Sequence, residues 1–188
     1  MHWLITDKGD PDARRLVDGE SFGGRPHYSR QTPGASMFCR NGQNLVFMTA
    51  DLRAVWVTFR PTPNVARRSD GLDAWENALF RNEGPTRASD LIREAVLLSS
   101  AIWGEQPRDG FITFIKPDAI RSEVAGYCYR RAGWKRWGSA SDGKPRLRAP
   151  RAPIVDYRQW AFKGDRGGKL RRLIEEWNAT CDSKVLNG

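Results

Sequence analysis

Ala74-Trp75-Glu76-Asn77-Ala78-Leu79-Phe80-Arg81, then Asn82-Glu83-Gly84-Pro85-Thr86-Arg87-Ala88, then Ser89-Asp90-Leu91-Ile92 is the stretch that decides the fold. The first run reads as a strand of mixed composition, the second as a tight loop, and Ser89 as the cap of a helix. Leu91, Ile92, Ala95, Leu98 and Ile102 recur at helical spacing, and Gly104 supplies the stop. A loop leading into a helix points unpaired backbone N–H groups and the positive end of the helix dipole at whatever lies before it, a setting that suits a pyrophosphate. Gly84 lets a ligand approach the backbone, and Arg81 and Arg87 add charge. An ordinary capped helix explains the same residues.

Upstream, His2–Thr6 reads as a strand. A helix opens at Asp10-Pro11 and ends over Gly19, Gly23 and Gly24, before a polar, aromatic loop, Arg25–Gly34. Ser36–Arg40, an Asn41-Gly42 turn, Asn44–Ala50 and Ala54–Phe59 predict an antiparallel meander, and 60–71, with Pro61, Pro63 and Asn64, a surface connection. Downstream, Gly110–Ile115 predicts a buried strand and Ala125–Ala132 a short helix closed by Gly133. After Gly138 the chain turns polar and basic. Arg146–Ala149 is its one strand candidate, and 168–180 is a final amphipathic helix with Leu170, Leu173, Ile174 and Trp177 on one face.

The 188 residues suit one domain, with a core over about 1–150 and a basic extension over about 151–188. No apolar run reaches the ~20 residues of a membrane span, and the N-terminus lacks a secretory pattern, so a cytoplasmic, membrane-free protein is expected. Cys39, Cys128 and Cys181 have no CxxC spacing and fit a reducing compartment. Charge is uneven: residues 1–120 hold 15 Lys and Arg against 15 Asp and Glu, whereas residues 121–188 hold 16 against 7 and carry the whole excess of +9. Such polarity suits a polyanion, through release of its counterions, or a solvated basic surface. Candidate phosphate contacts are Arg30, Arg130, Arg131, Lys135 and Arg136, with Lys144, Arg146, Arg148 and Arg151 further on and Lys169, Arg171 and Arg172 in the last helix. Trp134, Trp137, Tyr157 and Trp160 interleave with them, for stacking on bases or for the core.

Arg81-x-x-Gly84 and Tyr129-Arg130-Arg131-Ala132-Gly133-Trp134, followed by Gly138, resemble the GNAT acyltransferase superfamily. Its loop reads Arg/Gln-x-x-Gly-x-Gly/Ala and its ending Tyr-x-x-x-Gly-Phe. The stretch after Gly84 is longer here than in the family. The resemblance implies an α/β (α+β) fold with a mixed, mostly antiparallel twisted sheet flanked by helices. It also implies acetyl-CoA or another acyl or alkyl donor held by Arg81, Gly84, Arg87, Ala88 and Ser89, and Tyr129 as general acid toward the leaving group. A buried core aromatic is the other reading of Tyr129.

His27-Tyr28-Ser29-Arg30, Phe80-Arg81-Asn82-Glu83, Leu91–Ala95 and Phe111–Phe114 before Pro117 resemble the bacteriophage Mom group of GNAT-like proteins. That group attaches a carbamoylmethyl-type substituent to the exocyclic amine of adenine in phage DNA and so protects the DNA from restriction in the infected bacterial cell. The resemblance implies a DNA partner and a reaction centre at His27, Tyr28, Tyr129 and Asp118, with His27 handling protons. The group is linked to iron, for which His27, Asp118 and Tyr129 would be the ligands, without the second imidazole of the usual facial triad. A conventional N-acetyltransferase acting on a small amine or protein, and a nucleic-acid-binding module without catalysis, are the competing readings.

Overall fold

The computed structural model describes residues 1–21, 24–30, 32–62, 68–119 and 124–185, with side chains omitted at 167 and from 177 onward. Gly23, Gln31, Pro63, Asn64 and the side chains of Trp177 and Cys181 therefore lie outside the described residues. The elements follow the order β1 (Trp3–Thr6), α1 (Pro11–Asp18), β2 (Gln43–Thr49), β3 (Ala54–Arg60), β4 (Trp75–Asn82), α2 (Ala88–Trp103), β5 (Phe111–Phe114), α3 (Tyr127–Arg131), β6 (Lys135–Ser139), β7 (Pro145–Arg148) and α4 (Gly164–Val185). The class is mixed α/β: seven strands form one open, mostly antiparallel sheet in the order β1-β2-β3-β4-β5-β7-β6. Only β4 and β5 pair in parallel, and their register covers just Trp75↔Phe111, Glu76↔Ile112 and Asn77↔Thr113. Beyond Asn77, β4 runs on to Asn82 without β5.

Two apolar layers sandwich the sheet. On one face Trp3, Phe47, Trp56, Trp75 and Phe111 pack against Leu91, Ile92, Ala95 and Leu98 of α2, with Tyr129, Trp134, Leu170 and Ile174 completing the layer. A buried polar relay crosses it, in which the Trp56 indole donates to Thr58 Oγ1 (2.7 Å) and that oxygen lies 2.7 Å from Ser99 Oγ on α2. On the other face Ala13, Leu16 and Val17 of α1 cover Val46, Met48, Val55 and Val57, joined by Phe38 and Leu79. Helix α1 starts where its sequence says: Asp10 accepts from the amides of Asp12 (2.9 Å) and Ala13 (3.0 Å), and Pro11 opens the first turn. The same carboxylate accepts from the Thr6 hydroxyl (2.7 Å) and from Lys163 Nζ (2.9 Å), which clamps the segment before α4 against β1.

Several expectations are corrected. Ser36–Arg40 is not a strand. Strand β2 is already flanked by β1 and β3, which leaves no edge for it to pair with, and the Asn44 side chain instead gathers the carbonyls of Arg40 (2.9 Å) and Gly42 (3.0 Å) into a turn. Ser89 does not cap α2. The cap position is Arg87, no side chain caps the helix, and Ser89 lies inside the first turn. Helix α3 is only five residues long, after Gly126 at φ 73°, where a Cβ would meet Leu147 and Ile115 at 3.1 and 3.2 Å. Strand β6 was not anticipated, because an exposed edge strand can consist of Lys, Arg and Gly.

The capping difference is measurable by urea unfolding. Asp10→Ala should lower stability by about 2–4 kcal/mol, since it removes a cap and charge-assisted bonds together. Ser89→Ala should change it by no more than about 0.5 kcal/mol; comparable losses would contradict the assignment.

Candidate functional site

The end of the β4–β5 pairing is held by one side chain. A register shift between Val57 and Thr58 puts an extra residue into β4, which leaves backbone groups on both strands without ladder partners. The Asn77 carboxamide supplies them, donating from Nδ2 to the carbonyls of Leu79 (2.8 Å) and Val57 (3.1 Å). Its Oδ1 accepts from the Tyr129 hydroxyl at 2.5 Å, and Thr113 Oγ1 of β5 donates to the Asn77 carbonyl (3.1 Å). Tyr129 thus sits where the strands part, 8% exposed, edge-on to Phe80 and Trp134. Burial, reinforced by Tyr28 and Cys128 and opposed by a hydrogen bond from Thr113, raises its phenol well above the ordinary value. The group remains a protonated donor throughout the neutral range.

In front of this point opens a cleft of about 880 Å³, lined by Asn77, Thr113 and Phe80 and by Tyr28 at its rim. Other parts of its wall come from Met37–Asn41, from Arg68–Asp70 and from the turn between β6 and β7. Its floor carries Glu76, 4% exposed, which takes Arg68 at 2.7 Å and also pairs with Arg40. Arg68 in turn holds Asp70 through two bonds of 2.9 and 2.5 Å, so the charges on the floor are matched.

The loop carrying His27 and Tyr28 is fixed by a buried ion pair. Arg30 and Asp18, with side chains 4% and 2% exposed, are bonded directly, and Asp18 also accepts from the Gly34 amide (2.9 Å). Burial would raise the Asp18 pKa, but Arg30 and the Gly34 amide outweigh it and hold the carboxyl low. Arg30 also donates to the carbonyls of Ala35 (2.7 Å) and Met37 (3.0 Å), so most of its donors anchor the loop. Arg81 is also committed to protein, donating to the Arg25 carbonyl (2.7 Å) and to Glu83 (3.0 Å).

His27 stacks on Tyr28 with ring centroids 4.3 Å apart, and Tyr28 itself is 44% exposed. The Ser29 amide donates to His27 Nδ1 (3.2 Å), whose other neighbour is the Ser29 hydroxyl at 2.7 Å, and the Phe80 backbone supplies a further hydrogen bond. Burial, with Arg81 adding to it, lowers the imidazole pKa to about 4. The ring is neutral at physiological pH, and a base of that pKa is poorly matched to proton transfer at pH 7.

Helix α2 starts at Ala88, after the five-residue loop 83–87 that follows β4. The amides of Asp90 and Leu91 already bond to the Arg87 carbonyl (3.0 and 3.2 Å), and those of Ala88 and Ser89 precede them without a place in the helical ladder. Two earlier amides are occupied: Gly84 donates to Asn82 Oδ1 (2.9 Å) and Glu83 to the Arg53 carbonyl (2.8 Å). Arg87 is exposed beside this end of the helix.

Asp118 is exposed in a short 3-10 turn, Pro117–Ala119. Among the described residues no three His, Cys, Asp or Glu side chains form a group able to share a metal ion. With His27 engaged at its own loop and the Tyr129 hydroxyl given to Asn77, the set His27, Asp118 and Tyr129 does not fit an iron centre.

The basic residues fall at two places. Arg130, Arg131, Lys135, Arg136 and Arg148 are exposed around α3, β6 and β7, and Lys169, Arg171 and Arg172 are exposed on α4. Lys144 pairs with Asp142 (2.6 Å), and Arg151 donates to the carbonyls of Gln106 (2.6 Å) and Arg108 (3.0 Å). Of the four interleaved aromatics, Trp134, Tyr157 and Trp160 are core residues, and only Trp137 is partly exposed. Asn77, Thr113 and Glu76 carried no functional reading in the sequence; the signal available was a run of polar residues at buried positions within an otherwise apolar strand.

No protein-family model, curated protein or solved structure matches the chain. Among the described residues no helix is long and apolar enough to cross a membrane.

The two histidines make His27 easy to follow by NMR. Its ring shifts should stay flat from pH 7.5 to about 5 and inflect near 4, because burial disfavours the cation. Protonation would then oppose folding, and stability contributed by this group should fall as pH drops from about 6.5 toward 4. An inflection between pH 6 and 7 would contradict this placement.

Proposed function

We propose that the chain is a GNAT-type transferase that modifies an amine of a nucleic-acid base, with the exocyclic amine of adenine in DNA as its acceptor. The observation that carries the reading is the parting of β4 and β5 at Asn77, directly behind a cleft large enough for a base, on the strand that leads through a short loop to the uncapped start of α2. In this reading the donor lies in the opening between the strands. Its anionic portion meets the amides of Ala88 and Ser89 and the side chain of Arg87, while Arg81 and Gly84 shape the loop.

The acceptor enters through the cleft past Tyr28. Its nitrogen forms a bond to the electrophilic carbon of an acyl or alkyl donor, and the bond from that carbon to the leaving group breaks with its electron pair. The proton of the attacking amine passes to water in the open cleft, and the protonated Tyr129 phenol exchanges its hydrogen bond to Asn77 Oδ1 for one to the departing atom. Neutral His27 acts as a wall that positions Tyr28.

Expression of the protein beside a plasmid, followed by digestion of the DNA to nucleosides and mass spectrometry, tests this directly. A modified adenosine is expected, and its added mass identifies the transferred group. Tyr129→Phe should reduce its yield at least about tenfold while the protein remains folded. Unmodified DNA from folded wild-type protein would overturn the reading, and acetylation of a small amine or peptide in its place would support the conventional N-acetyltransferase.

A further inference from the structure

The basic third of the sequence is continuous in the chain but divided in space. Helix α4 packs on β1 at one end of the sheet, where Phe162 bridges Ile5 and the Arg171 guanidinium lies 4.6 Å from the Phe162 ring. Strands β7 and β6 form the other end. Six inter-strand steps of about 4.8 Å separate β1 from β6, or about 29 Å along the sheet. The two groups of cations are therefore separate surfaces, and only one adjoins the cleft.

That surface has its own chemistry. Residues 124–141 contain Arg130, Arg131, Lys135 and Arg136 and no acidic residue. Trp137 then brings two further cations together, with the guanidinium carbons of Arg146 and Arg148 lying 4.6 and 4.7 Å from its ring centroid. Arg146 also donates from Nε to the Trp137 carbonyl (2.9 Å), which fixes its direction. Among the described residues neither Arg146 nor Arg148 forms a salt bridge, although Arg146 acts at longer range on Asp70 and Arg148 on Asp109. Stacking on an indole holds a guanidinium plane while its N–H groups remain able to bind an anion. Arg146 and the turn Ser139–Asp142 line the cleft, so an anion held here lies beside the acceptor's entrance.

We infer that the β6–β7 hairpin, through Arg146 and Arg148 braced on Trp137, is the docking surface for the phosphate backbone of a DNA duplex, and that the basic face of α4 is not part of it. The inference rests on the proposed reading that a nucleic-acid base is the acceptor. Charge complementarity names the occupant: a cluster of cations stacked on an indole and outside any salt bridge, beside a base-sized cleft, matches the phosphates flanking a base drawn out of its stack.

Binding of a fluorescein-labelled DNA duplex, followed by anisotropy across a salt series, tests it. Arg146→Ala/Arg148→Ala should weaken binding at least about tenfold near 100 mM salt and lower the salt slope by about 2. Arg146→Lys/Arg148→Lys, which keeps both charges but loses the planar stack on Trp137, should fall between wild type and the alanine variant, and Lys169→Ala/Arg172→Ala at the far end of the sheet should stay within about threefold of wild type. Equal losses in the hairpin and α4 alanine variants, a loss confined to α4, or no wild-type duplex binding at low salt would overturn the inference. Modified DNA with hairpin-independent binding would sink the inference and leave the proposed function standing; hairpin-dependent binding with unmodified DNA would do the reverse.

Discussion

The carboxamide of Asn77 answers the break in the sheet between β4 and β5. It sits where β4 takes an extra residue and loses its partner β5, a place where backbone carbonyls would otherwise be buried unpaired. An unsatisfied buried polar group costs roughly 1–3 kcal/mol, so a divergence inside a sheet persists only if something in the core answers it. Asn77 answers with both ends of its amide, and in doing so fixes the Tyr129 hydroxyl of α3 at the same point. The opening in the sheet, the position of the phenol and the cleft in front of them are consequences of one buried polar node. Helix α2 follows through the loop 83–87, so its uncapped start comes after the free end of the same strand.

Around this node the side chains divide between holding the site and remaining available to it. Arg30, Arg81 and His27 all look reactive in the sequence, yet each is engaged by a loop or strand backbone or a buried carboxylate. Their common product is a rigid rim that presents Tyr28. Tyr129 lies behind the cleft wall, where the strands part. Arg146, in the cleft wall, and Arg148 beside it stack on Trp137 and form no salt bridge among the described residues.

Much of the architecture was legible because it depends on local pattern. The α2 periodicity, the Asp10-Pro11 start of α1 and the apolar runs of β2, β3 and β5 each appear as elements where their residues imply. The failures lie where a non-local fact decides. Asn41-Gly42 has hairpin chemistry, but the neighbouring positions of β2 are filled by β1 and β3. Ser89 has capping chemistry, yet the helix begins a residue earlier. Charge along the chain gave a single basic region, whereas strand order splits it between the two ends of the sheet. The Asn77 node was hidden for the same reason, since its partners come from β3, β5 and α3, and one sequence does not reveal which polar residues will meet.

A double-mutant cycle on folding stability with Asn77→Ala and Tyr129→Phe measures the central interaction directly. The two losses should be strongly coupled, by about 1–2 kcal/mol, because each substitution removes the same buried bond. Losses that add to within about 0.3 kcal/mol would contradict it, for the phenol and the strand divergence would then be independent features of the core.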